Sequence, residues 1–168
     1  TITVTVEDGG LDNNLSTAGD NATFSRTFDV TVNEVFLTTL DLATLDGTNG
    51  FRLDGIDADD RSGDRVSSAG DVNGDGFDDL IIGAYRGDPG GDSAAGESYV
   101  VFGKSSGFTS ALALSTLNGT NGFRLDGIDV NDWSGLAVSS AGDVNGDGFD
   151  DLIIGAHLAD PGGDSAAG

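Results

Sequence analysis

Two nine-residue stretches carry residue types able to hold a metal ion: DVNGDGFDD at 71–79 and, unchanged, at 143–151. Oxygen-bearing side chains fall at the first, third, fifth and ninth positions, with glycine at the sixth. Calcium is a hard cation that takes about six to eight oxygens, and alternate positions of a tight loop converge on such a centre. The spacing marks Asp71, Asn73, Asp75 and Asp79 as side-chain ligands, with the Phe77 carbonyl as a further one. In the second copy the set is Asp143, Asn145, Asp147 and Asp151, with the carbonyl of Phe149. About one Ca2+ per repeat is expected. Gly76 and Gly148 permit the sharp turn after the third ligand.

A solvated Asp/Gly turn accounts for the composition but not for two copies with the same ligand spacing. Magnesium fits less well, because it demands near-octahedral geometry and keeps several waters. An EF-hand shares the first six positions but needs a glutamate at the twelfth. Position twelve here is Ile82 or Ile154, inside LIIGA, a short apolar run of strand length rather than the start of a helix. The dockerin loop fails for similar reasons.

The loops must be positioned by strands. Apolar residues come in short runs separated by Gly/Asp/Asn clusters, and the 28 glycines argue against long helices. An all-β class is expected. Sliding the chain by 72 residues aligns LDGTNGFRLDGID at 45–57 with LNGTNGFRLDGID at 117–129, and 43 of 52 positions from there onward are identical. One repeat runs over 36–107 and a second, truncated one over 108–168. The second lacks a counterpart of ESYVVFGKSSG at 97–107. Residues 1–35 lie outside the repeat: TITVTVED and RTFDVTVNEV alternate with period two and read as strands joined by a polar connection.

The charge balance narrows the partners. Twenty-nine acidic residues face seven basic ones, a net charge of −22. Nucleic acid is not expected as a partner, since a phosphate backbone is held by Lys and Arg. No run approaches the ~20 apolar residues that span a bilayer, so membrane insertion is not expected. With no cysteine, disulfides and thiolate metal sites are impossible. The chain opens on a strand-like segment without an initiator Met or signal peptide, which reads as a mature or excised piece.

VSSAGDVNGDGFDDLIIGA, followed by an acidic Gly loop and ESYVVFGK, resembles the FG-GAP repeat of integrin-α-type β-propellers, and in particular its long bacterial secreted and surface forms. The resemblance covers residues 36–168. It implies a calcium-holding loop between neighbouring strands of a propeller blade. The ligand positions match one by one. Two departures stand out: the FG dipeptide is Ser62-Gly63 and Ser134-Gly135, and the GAP proline is Tyr85 and His157. Neither touches a ligand position. Read as blades, residues 65–71, 79–84, 98–103 and 122–126 are four strands, the last borrowed from the next repeat. That makes one complete blade and half of another, an incomplete propeller. The two strands of residues 1–35 resemble the closing strands of cadherin-like or immunoglobulin-like modules.

Other features carry less. RGD at 86–88 becomes Leu158-Ala159-Asp160 in the second repeat and reads as drift in a variable loop. His157, the only histidine, and Trp133, which replaces Arg61, read as packing or surface residues. Glycosylation triplets at Asn14, Asn21 and Asn118 arise readily in such a chain. The acidic clusters Asp57–Asp60 with Asp64, and Asp88 with Asp92, lack regular ligand spacing. Catalysis finds no nucleophile with an adjacent base, so the chain reads as a binding module and not an enzyme.

The expectation is a calcium-stabilised extracellular or cell-surface module with a structural or adhesive role, whose partners are calcium and other protein chains or further repeats. Two other readings are a filament subunit joined by strand donation and a carbohydrate-binding module with Trp133 stacked on a glycan.

Overall fold

A computed structural model describes residues 2–7, 23–28, 39–164 and 168. The chain divides into a unit of Thr1–Leu40 and a unit of Asp41–Gly168. In the first, β1 (Ile2–Glu7) pairs antiparallel with β2 (Thr23–Phe28), Ile2 opposite Phe28 and Glu7 opposite Thr23. β2 begins at Thr23, inside the stretch expected as connection. The remainder of the expected second strand, 29–35, lies outside the described residues, as do Asn14 and Asn21.

The second unit is all-β apart from single 3-10 turns. Its elements are β3 (Arg52–Asp54), β4 (Arg65–Gly70), β5 (Asp79–Ala84), β6 (Glu97–Val101), β7 (Ala111–Ala113), β8 (Gly122–Asp126), β9 (Ala137–Gly142) and β10 (Asp151–Gly155). Strands β4, β5, β6 and β8 form one antiparallel sheet in that order. This is the expected blade, with its fourth strand taken from the second repeat. β9 and β10 form the half-blade. Among the described residues, the sheets do not close into a barrel.

Three blade-strand boundaries differ from the sequence reading: β4 ends at Gly70, because Asp71 already belongs to the loop and accepts from its amides, and both ends of β6 shift. β6 starts one residue early because Glu97 pairs with both Ala84 and Asp126. It stops at Val101 because the Gly103 amide leaves the ladder and donates to Asp79 Oδ1 at 2.8 Å. A third small sheet was not foreseen: β3 pairs with β7 in parallel, Arg52 opposite Ala111.

Period-two alternation puts consecutive β5 residues on opposite faces of the blade. Ile82 joins Ala84, Tyr99, Val101 and Leu114 on one face, where Leu53, Phe108 and Leu112 cover them. Ile81 joins Ala69 and Val100 on the other, against Val138, Leu152 and Ile154 of the half-blade. The repeat thus supplies both halves of its own interface. Ile81 is 0% exposed, whereas Ile153, its twin in β10, is 60% exposed. Each full burial of such a side chain is worth about 1.5–3 kcal/mol, so the same sequence contributes unequally in its two places.

Among the described residues, the buried Ser98 Oγ of β6 is without a hydrogen-bond partner, whereas Glu97 and Tyr99 are paired. Glu97 is 5% exposed, accepts from the Tyr99 hydroxyl and meets Arg124 Nη1 at 3.2 Å. Burial, with the Glu97 carboxylate behind it, pushes the Tyr99 phenol well above its ordinary range.

Candidate metal centre

Each aspartate-rich loop joins two adjacent strands: residues 71–78 run from β4 to β5, and 143–150 from β9 to β10. Asp71, Asn73, Asp75 and Phe77 lie within the first loop, and Asp79 opens β5. Asp143, Asn145, Asp147, Phe149 and Asp151 occupy the same places in the second.

The first aspartate organises each loop. Asp71 Oδ1 accepts from the amides of Gly74 (2.8 Å) and Asp75 (3.0 Å), and Oδ2 from Gly76 (2.9 Å). Asp143 accepts from Gly146, Asp147 and Gly148 at 2.7, 3.1 and 2.9 Å. These amides, that of Gly148 first, hold the Asp143 carboxyl below the usual carboxylate range. Further along, Asn73 Oδ1 accepts from the Asp75 amide and Asp75 Oδ1 from the Phe77 amide; Asn145 and Asp147 do the same. Gly76 and Gly148 have φ of 88° and 92°, which explains glycine at the sixth position.

The ninth position differs between copies. Asp79 is 0% exposed and accepts from Val72 N at 3.0 Å and Gly103 N at 2.8 Å. Burial pushes its carboxyl upward; those two amides pull the other way, and Asp75 and Asp71 add to the rise. No ion pair joins it to Lys or Arg among the described residues. Asp151 accepts from Val144 N at 2.9 Å but keeps partial exposure, because no strand flanks β10 as β6 flanks β5 among the described residues.

Among the described residues, no three or more Asp, Glu or His side chains gather as a finished metal centre. The carboxylates are held by the loop's amides, and Asn73 Nδ2 turns to Asp75 Oδ2 at 3.0 Å. The donors nevertheless suit calcium. They are all oxygens, a carboxylate has about four lone-pair sites of which the amides take two or three, and buried Asp79 lacks a cationic partner. A hard divalent cation answers each of these features.

Two participants escaped the sequence reading. One is the Gly103 amide on Asp79. The other is Asp150, first of the Asp150-Asp151 pair, whose Oδ2 accepts from the Asp71 amide at 2.8 Å. The unused aspartate in each FDD was the only sequence signal for it. The discounted residues have structural places. Trp133 lies between Tyr85 and His157, with ring centroids 5.6 and 5.7 Å away. Asp60 is buried, and its carboxyl is pushed up by burial first and then by Asp57, Asp88 and Asp59. Asn118 Oδ1 accepts from the Thr120 amide and hydroxyl within a turn.

Comparison with known proteins gives a family and relatives. The FG-GAP repeat family model matches residues 63–101 and 134–168. Integrin alpha-4 of Xenopus laevis is 30% identical over 100 residues, covering 60% of this chain and 9% of its own length. Integrin alpha-5 of Xenopus laevis is 31% identical over 116 residues, 69% of this chain and 10% of its own. Integrin alpha-PS2 of Drosophila melanogaster is 38% identical over 98 residues, 55% and 6% respectively. The chain spans a tenth or less of the length of these relatives.

Proposed function

Since this chain carries two FG-GAP repeats and is similar to integrin alpha chains, we propose that it is a calcium-binding extracellular module with a structural or adhesive role. One observation carries this reading: the same oxygen-rich loop, organised by the same amides, stands at the same strand junction in both repeats. Calcium, when bound, supplies positive charge that joins the carboxylates. Asp71 and Asp143 hold the turn, Asn73, Asp75, Asn145 and Asp147 and the carbonyls of Phe77 and Phe149 complete the shell, and Asp79 and Asp151 tie it to the apolar strand. The ion serves folding rather than a reaction, and the module works by presenting a rigid surface to other protein chains or further repeats.

Equilibrium dialysis against calcium tests the assignment loop by loop. Asp71→Ala and Asp143→Ala each lower the bound ions from two to one, and the double variant binds none. Unchanged stoichiometry in the double variant would overturn it.

A further inference from the structure

The two loops are identical in sequence but not in surroundings. Asp150 Oδ2 accepts from Asp71 N at 2.8 Å, and Asp150 N donates to the Asp71 carbonyl at 3.1 Å. This reciprocal pair joins position eight of the second loop to position one of the first. Two glycines make room for it. A Cβ on Gly70 would sit 2.1 Å from Asp150 Oδ2, and one on Gly74 would sit 2.4 Å from Phe149 Cε1. Gly142 and Gly146, their twins in the second loop, have nothing within 4 Å of such a Cβ.

We infer that Asp150 is a positioning residue, a clasp through which the second repeat sets the calcium affinity of the first. It rests on the calcium reading above. The argument is local. Asp71 leads the first ligand set and holds three loop amides. Its own backbone N–H and C=O are both taken by Asp150, which fixes where its carboxylate stands. A backbone held from both sides is preorganised, and binding to a preorganised site loses less ordering free energy. Asp78, the twin of Asp150, makes no corresponding contact with Asp143. The clasp is therefore made by Asp150 of the second loop on Asp71 of the first and has no counterpart from Asp78, which serves as an internal control.

The test is a calcium titration of the full chain followed by amide NMR, with the Gly76 and Gly148 resonances reporting the first and second loops separately. Asp150→Ala weakens calcium binding at the first loop about threefold to tenfold, the range for loss of one hydrogen bond. Asp150→Asn keeps an acceptor oxygen and stays close to wild type, and Asp78→Ala leaves the first loop within twofold. The clasp is overturned if Asp150→Ala leaves the Gly76 midpoint unchanged, or if Asp78→Ala weakens the first loop equally. If neither glycine responds to calcium in the wild type, the calcium reading fails on its own. The clasp is then judged by Asp71 amide exchange without metal: faster in Asp150→Ala supports it, unchanged overturns it.

Discussion

Millimolar calcium raises the melting temperature of this chain by about 15–25 °C over the chelated protein. Extracellular calcium sites commonly have Kd of about 10⁻⁴–10⁻³ M. Against the tighter of these values, about 10 mM calcium is a roughly 100-fold excess, at which a ligand that binds only the folded state adds about 2.7 kcal/mol per site. Two loops together then add about 5 kcal/mol, comparable with the ~5–15 kcal/mol that separates folded from unfolded in an ordinary domain. For a unit of this size one kcal/mol moves the midpoint by about 3–5 °C. Without the ion, Asp79 must be desolvated with no cation beside it, and the net charge of −22 goes unrelieved. The comparison is made by calorimetry in calcium and in chelator. A midpoint that does not move would mean that the loops hold themselves through their amides alone.

Gly83→Ala and Gly155→Ala are the same change in the same strand sequence, yet the first destabilises by about 3 kcal/mol and the second by less than about 1. A Cβ on Gly83 would lie 2.1 Å from the Gly135 carbonyl oxygen, a backbone atom on the path from β8 into β9. Relief requires the blade and half-blade to part, which also loosens Ile81 and Val100 against Val138, Leu152 and Ile154. Around Gly155 the nearest atom is Ala137 Cβ at 3.4 Å, so a methyl group fits. Neither glycine has a positive φ, and the difference therefore reports close approach rather than backbone strain. Chemical denaturation of the two variants measures it, and equal losses would contradict the packing described between the sheets.

Such pairs show which parts of the molecule could be read from its residues. The DVNGDGFDD spacing places the loops between strands because turn, ligand period and following strand are all local. The borrowed fourth strand was legible because GFRLD recurs ahead of each repeat's first strand. The β3–β7 pair was not. Arg52–Asp54 and Ala111–Ala113 are three residues each, too short for a periodic signal, and their pairing depends on a contact between distant segments. The unequal fates of Ile81 and Ile153, Gly70 and Gly142, and Asp78 and Asp150 were equally hidden. A repeated sequence cannot state which copy has a neighbour; only the order of the sheets decides it. The Asp79 environment lies between: its place in the loop was legible, but the Gly103 amide reaches it from the far end of β6.

The central claim is that each loop holds one calcium ion, and the most direct measurement is a crystal structure of the calcium-loaded chain read for anomalous signal. The account predicts two ions. One is ringed by Asp71, Asn73, Asp75, the Phe77 carbonyl and Asp79, the other by Asp143, Asn145, Asp147, the Phe149 carbonyl and Asp151, each at about 2.3–2.6 Å. Empty loops, or ions gathered instead at the carboxylates of Asp57, Asp60 and Asp88, would contradict it.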